Sequence, residues 1–307
     1  MLLSAALSGQ TGGSFSTDVE VVNLFATVHD AQGRVIHNLT KDDFTLDEDG
    51  RPQTIRYFSQ ESGLPLTVGL LIDTSISQKR LLPEERTASY RFLTQVLRSE
   101  KDRAFVIHFD RDVELLADLT SSREQLAAAL AQLRVPTLRP RRHGEPKVAA
   151  WTLGGTALYD AVLLASNEIT RKQSGRKAII LLTDGVDNGS KVGLTRAIES
   201  AQRADTLVYS ILFSDRDAYD GAFASAAGKR TLERISRETG AASFEVSAKN
   251  PVSAVYARLE EELRSLYSLG YTPDRSDASY GYHKIHLSTK RNGLVVQTRN
   301  GYYIGAR

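Results

Sequence analysis

The sequence predicts an α/β fold: a doubly wound, mostly parallel sheet of the Rossmann-like type, set between two flanking segments of β structure. Three observations carry this. Between residues 66 and 213 the near-continuous apolar runs LTVGLLID, RAFVIHF, KAIILLTD and TLVYSILF alternate with stretches of helical spacing. Such runs are typical of strands covered on both faces, and strands alternating with helices build a parallel sheet. Before and after this region the pattern shifts to short alternating runs separated by turn signals.

Along the chain, residues 18–60 read as strands and hairpins: DVEVVNLFATV, VIHNL and FTLDEDGRPQTIRYF, with Gln32-Gly33 and Asp49-Gly50 at turn positions. The helical stretches that follow are ERTASYRFLTQVLRS, SREQLAAALAQL, TALYDAVLLASNEITRK, GLTRAIESAQRA, KRTLERISRET and SAVYARLEEELRSL. Strand grammar then returns in YSLGYTP, YHKIHLST and LVVQTRNGYYIG, with Asn292-Gly293 as a turn. Each β flank is too short for a core of its own. We therefore expect residues 17–63 to pair with 268–307 as a β-sandwich, with 64–267 inserted between them; separate packing of each flank on the α/β unit is the alternative.

Composition narrows the function. The chain has 307 residues, and 39 Lys+Arg against 37 Asp+Glu leave a net charge of +2, too little for general nucleic-acid binding. With no cysteine, every thiolate chemistry and disulfide scaffold is excluded. No apolar run reaches the ~18–20 residues of a membrane span. The apolar start MLLSAAL lacks a positive n-region, since the first basic residue is Arg34. Residues 1–16 read as a residual signal segment or a disordered terminus.

In an open parallel sheet, ligands sit at the carboxyl ends of the strands. There the sequence places Asp73, Ser75 and Ser77 in LLIDTSIS, Thr156 after two glycines in LGGTALYDA, and Asp184 in LLTDGVDN. These are two carboxylates and three hydroxyls, a hard-oxygen set that selects Mg²⁺, Mn²⁺ or Ca²⁺. The D-x-S-x-S spacing lets alternate residues turn inward while Thr74 and Ile76 point away. With two formal negative charges the cation stays partly uncompensated and attracts an outside carboxylate. Each residue alone has a plainer reading: Asp73 in an Asx turn, Ser75, Ser77 or Thr156 as helix N-caps, Asp187 and Asn188 solvating a loop.

These motifs, in this order, resemble the metal-ion-dependent adhesion site (MIDAS) of von Willebrand factor A domains. The flanking LTKDDFTLDEDGRPQTIRYF, YSLGYTP and NGYYIG are similar to the bacterial VWFA-related proteins of the Acidobacteria type, which are usually exported. The resemblance implies that Asp73, Ser75, Ser77 and Thr156 contact Mg²⁺ (Mn²⁺ or Ca²⁺ being possible) and that Asp184 completes the shell, often through water. It implies an extracytoplasmic, non-enzymatic adhesion module binding a protein or peptide with an acidic side chain. An integrin-like layout, and a last helix over Pro251–Leu266 that moves as the metal shell changes, are further implications. A structural module with an empty metal site is the alternative, and a metal-dependent hydrolase is disfavoured because no general acid or base lies at a recognisable spacing.

Other features point less clearly. Arg139, Arg141 and Arg142 in the Pro-broken LRPRRHGEPK stand either in a solvated loop or at the rim of the metal site, where they would steer an acidic partner. Trp151 reads as an anchor and His108 as a packed or capping residue. His283 and His286, in YHKIH, are expected at solvent positions. The sequence contains neither a P-loop nor a G-x-S-x-G elbow nor H-E-x-x-H.

Overall fold

A computed structural model of the chain describes residues 21–60, 63–98, 100–135, 155–213, 221–274 and 281–304. The continuous apolar runs become β5 (Leu66–Asp73), β6 (Arg103–Phe109), β8 (Arg176–Thr183) and β9 (Leu207–Leu212). Every residue of β5, β8 and β9 is buried, as two-sided coverage requires. Two strands went unread in the sequence, β7 (Val113–Thr120) and β10 (Ser243–Glu245). They form the two edges of a six-stranded sheet in the order β10-β9-β8-β5-β6-β7. All neighbours in it are parallel except β6 and β7, which form an antiparallel hairpin. No residue of β7 is fully buried, which is why it lacks the apolar run that marks its neighbours.

Helices cover both faces. On one side α1 (Leu82–Val96), α2 (Arg123–Gln132) and α6 (Val252–Arg264) pack on Leu66, Val68, Leu70 and Ile72 of β5 and their equivalents in neighbouring strands. On the other, α3 (Leu158–Leu164), α4 (Leu194–Arg203) and α5 (Gly221–Thr239) pack on Leu71, Phe105, Ile107, Ile179 and Leu181. The strict alternation along β5 is the two-residue period of a strand read from both faces. It is interrupted at Gly69, where the ring of Phe105 occupies the volume a side chain would need; a Cβ there would lie 2.1 Å from the ring.

The flanks form two antiparallel sheets, each built from both ends of the chain. The first has the order β13-β1-β11-β4, from β1 (Val22–His29), β4 (Tyr57–Ser59), β11 (Tyr267–Tyr271) and β13 (Val295–Gln297). The second has the order β14-β12-β2-β3, from β2 (Phe44–Glu48), β3 (Arg51–Gln53), β12 (Gly281–Thr289) and β14 (Gly301–Ile304). Leu24, Ala26, Tyr267 and Leu269 of one sheet share a core with Phe44, Leu46, Ile285 and Leu287 of the other. The flanks thus complete each other, as their individual shortness demanded. One expectation fails here: His283 is buried, because β12 turns its odd-numbered positions 283, 285 and 287 inward, leaving only His286 exposed.

Arg299, almost fully buried, ties the β flanks to the α/β unit. Its guanidinium donates to Asp205 (2.6 Å) between α4 and β9, to the Gln202 carbonyl (3.3 Å) in the last turn of α4, and to the Asn23 carbonyl (2.7 Å) in β1. Three acceptors from two units on one planar cation is geometry that lysine cannot reproduce. Arg299→Ala is expected to lower unfolding stability by about 2–3 kcal/mol, the scale of hydrogen bonds to a charged group whose buried partners are left unmet, and Arg299→Lys to recover less than half of it, both read by urea titration.

Candidate metal centre

The six-stranded sheet places β5 and β8 side by side at the point where the strand order reverses, because the chain runs from β5 outward through β6 and β7 and then returns to β8 on the other side. That switch point opens a crevice at the carboxyl ends of the strands. Asp73 ends β5 and Asp184 follows β8, so the two carboxylates the sequence singled out flank the crevice.

Asp73 is fully buried. Its Oδ1 accepts the Ser75 backbone N–H (2.8 Å) and its Oδ2 the Thr183 hydroxyl (2.5 Å). The Asx-turn reading of Asp73 and its site reading therefore describe the same geometry: the turn aims the carboxylate. After it, Ser75 Oγ lies 3.0 Å from Ser77 Oγ, and Ser77 Oγ donates to Asp184 Oδ2 (2.8 Å). Asp184 Oδ1 accepts the Val186 N–H (3.0 Å). Neither serine caps a helix with its side chain; the loop closes instead into a short 3-10 turn at Ile76–Gln78. Thr74 points away as expected. Its backbone N–H and hydroxyl both reach the Phe109 carbonyl, and the hydroxyl sits 3.0 Å from His108 Nδ1. His108 Nε2 in turn faces Glu114 Oε2 at 3.0 Å, so this histidine holds the loop's back from β6.

Thr156 comes to the same edge by a different route. Its backbone N–H donates to Asn188 Oδ1 (2.7 Å), and its carbonyl accepts the N–H groups of Asn188 and Gly189. It is not the N-cap of α3, a position held by Ala157. The first N–H groups of that helix, Tyr159 and Asp160, are met by Ser190 Oγ, while the Asp160 carboxylate accepts the N–H groups of Lys191 and Val192. Asn188 and Asp187 are thus a scaffold joining the loop after β8 to the start of α3, not mere solvating groups. The Thr156 hydroxyl is not part of the hydrogen-bonded chain through Ser75, Ser77 and Asp184. Arg139, Arg141, Arg142 and Trp151 lie outside the described residues.

Two residues that sequence reasoning missed complete the site. Thr183, inside the LLTDG run, accepts the Gly185 N–H while donating to Asp73. Gly228 of α5 packs against the backbone of Asp184 and Gly185 so closely that a Cβ on it would lie 2.0 Å from the Asp184 carbonyl oxygen. Gly185 itself has φ +80°, a conformation glycine adopts freely.

Electrostatically the site is an accumulation of carboxyls. Burial, reinforced by the charge of Asp184, pushes the Asp73 carboxyl up to about 7. Burial, and then the charge of Asp73, also holds Glu85, fully buried on the first turn of α1, well above the ordinary carboxylate range, and neither of its oxygens has a hydrogen-bond partner among the described residues. The same holds for Gln78 Oε1. A buried oxygen set of this kind, short of positive charge, fits a hard divalent cation.

Residues 68–186 match the family model of the von Willebrand factor type A domain. An uncharacterized protein of Borreliella burgdorferi is 22% identical over 160 residues, which cover 48% of this chain and 43% of that protein. The chain therefore spans less than half the length of the curated relative it matches. Among solved structures, proximal thread matrix protein 1 from the mussel byssus superposes with a TM-score of 0.51 at 14% identity, over 71% of this chain and 51% of its own. Another crystal of that mussel protein has zinc in its MIDAS motif, with a TM-score of 0.49 at 14% identity over 70% of this chain and 49% of that one. The vWF domain of the type V pili tip protein Mfa5 from Porphyromonas gingivalis gives 0.48 at 15% identity, over 66% of this chain and 95% of that one. With a central sheet whose switch point gathers the D-x-S-x-S and T-D-G loops, and a family match across both, this chain contains a von Willebrand factor type A domain.

Proposed function

We propose that the chain is a metal-dependent protein-binding module in which Asp73, Ser75, Ser77, Thr156 and Asp184 hold Mg²⁺, and that its partner is a protein or peptide presenting an acidic side chain. When bound, the cation supplies a Lewis-acidic position that accepts the partner's carboxylate as a ligand. The single observation that supports this best is the continuous oxygen chain from Asp73 through Ser75 and Ser77 to Asp184, oriented by backbone donors. Asp73 supplies the buried charge, Thr183 and the Ser75 N–H fix its direction, and Asn188 sets the height of Thr156. The proposal includes Arg139, Arg141 and Arg142, in the stretch between α2 and Thr156, as a rim that steers an acidic partner. It also includes an extracytoplasmic location and the division into a unit of 64–267 and a β unit of 17–63 with 268–307. Among the described residues no helix is long and apolar enough to cross a membrane. Binding rather than turnover is favoured by His108: both of its ring nitrogens are engaged, by Thr74 and Glu114, so it does not serve the oxygen cluster as an acid or base.

Thermal unfolding in EDTA, Mg²⁺, Mn²⁺ and Ca²⁺ tests the site without knowledge of the partner. A cation at a hundred times its Kd stabilises the fold by about 2.7 kcal/mol; the midpoint should rise with Mg²⁺ and stay unmoved in Asp73→Ala and Thr156→Ala. No cation effect on the wild type would favour a structural module with an empty site.

The Asp73 carboxyl gives the pH dependence. Its folded value of about 7 lies above the ordinary 3.8, so the folded chain without cation binds more protons than the unfolded chain between those values. Without cation, its contribution therefore makes stability fall as pH rises from about 4 to about 7. A cation must displace that proton, so Mg²⁺ affinity should climb by up to about tenfold per pH unit below 7 and level off above it. Calorimetry in buffers of different ionisation heat would count the proton released.

Gly228→Ala offers a test remote from the oxygens. The added methyl pushes on the Asp184 backbone, and Mg²⁺ affinity should fall by about 10- to 100-fold, the range for residues that orient a ligand from behind. Unchanged affinity would show that Asp184 does not serve the cation.

A further inference from the structure

A second cluster of metal-ligating side chains lies in the β flanks, away from the oxygen site. Glu48 ends β2, and Asp49 (φ +50°) and Gly50 (φ +77°) make the two-residue turn into β3. β12 runs antiparallel beside β2 with Ile285 opposite Glu48, which carries His283 alongside the turn. The turn is locked to β12 in both directions, since the Asp49 N–H donates to the Lys284 carbonyl (2.9 Å) and the Lys284 N–H to Asp49 Oδ1 (2.8 Å).

Each carboxylate spends one oxygen on such anchoring and turns the other toward the same imidazole nitrogen. Glu48 Oε2 accepts the hydroxyls of Tyr271 (2.6 Å) and Tyr302 (3.3 Å), while its Oε1 stands 3.8 Å from His283 Nδ1. Asp49 Oδ1 is held by Lys284, and its Oδ2 lies 2.8 Å from the same Nδ1. One ligand atom from each of the three residues falls within 4.8 Å of the other two. Glu48 and His283 are 3% and 6% exposed, whereas the Asp49 side chain is 46% exposed and opens the cluster to solvent.

We propose that Glu48, Asp49 and His283 form a second cation site, for a divalent ion of the zinc class, with solvent completing the coordination on the Asp49 side. One imidazole nitrogen and two carboxylate oxygens are the mixed donor set zinc accepts, unlike the all-oxygen set at Asp73. Two ligand atoms of a four-coordinate zinc with bonds near 2.0–2.1 Å lie about 3.3 Å apart. The 2.8 and 3.8 Å spacings bracket that value, so closure needs only small side-chain shifts. The ion replaces the proton between His283 and Asp49, and the charge of Zn²⁺ balances the two carboxylates around a neutral imidazole. Tyr271 and Tyr302 are positioning residues that fix which oxygen of Glu48 faces inward. The consequence is mechanical: the ion would pin the N-terminal flank to the C-terminal flank, 234 residues on, across the inserted domain.

Calorimetric Zn²⁺ titration of the full, EDTA-stripped chain tests this, with Co²⁺ as a spectroscopic substitute. The Asp73→Ala chain, whose oxygen site is disabled, should still take up one Zn²⁺ and gain thermal stability from it, and Co²⁺ should give visible bands of low coordination number. Asp49→Asn, which keeps the turn because Asn tolerates left-handed backbone, should weaken that uptake at least tenfold, and His283→Ala should abolish it. Zinc uptake that disappears in Asp73→Ala, or persists unchanged in Asp49→Asn, would overturn the proposal. Uptake that persists in Asp49→Asn leaves Mg²⁺ binding at Asp73 untouched, and uptake lost in Asp73→Ala would place the zinc at the oxygen site, so failure of this proposal is distinguishable from failure of the Asp73 reading.

Discussion

The burial of one carboxylate, Asp73, constrains most of what surrounds it. A carboxyl without solvent at the end of a central strand is costly unless its oxygens are met. The chain meets them locally, through the Ser75 N–H, and from the neighbouring strand, through Thr183. The second depends on β5 and β8 being adjacent and parallel, so that their carboxyl ends finish level. The order of the sheet is thus part of the chemistry of the site. A strand shifted by one residue would turn Thr183 to the other face and leave Asp73 Oδ2 unmet.

The loops around that carboxylate are held from outside the oxygen cluster. His108 and Glu114 of the β6–β7 hairpin hold Thr74; Asn188 holds Thr156; Gly228 bears on Asp184. Every one of these supports comes from a different element, so the site's geometry is a property of the packed domain. The flanks add a further layer, since Arg299 binds β1 to the turn between α4 and β9. The β unit is therefore coupled to the same helices that cover the sheet, though it contributes nothing to the oxygen cluster.

How much of this was legible in the sequence follows from range. The strands β5, β6, β8 and β9 announce themselves because burial on both faces demands uninterrupted apolar runs. β7, half-exposed at the edge, and β10, three residues long, carry no comparable demand and leave no comparable trace. Asp73, Ser75, Ser77, Thr156 and Asp184 could be picked out because each follows directly on an apolar run or a Gly-Gly turn, where a polar residue has to be explained. Thr183 was hidden by belonging to the strand itself, and Gly228 by the fact that its constraint comes from a backbone more than forty residues away in sequence. His283 was misplaced for a related reason. Alternation puts it on the inner face, but a buried imidazole makes sense only once Glu48 and Asp49, from the far end of the chain, are beside it.

Charge supplies the last step. Elsewhere in the molecule acidic groups find basic partners: Asp43 has Arg291, Asp205 has Arg299, Glu199 has Arg203. Asp73, Asp184 and Glu85 form no ion pair with any lysine, arginine or histidine among the described residues, although Asp73 and Glu85 are the most deeply buried carboxyls of the three. A fold that needed only to stabilise itself would gain by replacing such groups with apolar ones. Asp73 and Asp184 stand instead beside the Ser75 and Ser77 hydroxyls at the switch point of the sheet, an arrangement consistent with the proposed cation site. Under the proposed function, a dication would satisfy Asp73 and Asp184 together without demanding a long basic side chain in the crevice. The same reasoning separates the second cluster, where an imidazole already stands between the two carboxylates. That group remains paired without metal, so a metal there would add a cross-link between the flanks, whereas at Asp73 the proposed ion would supply the charge that the protein itself omits.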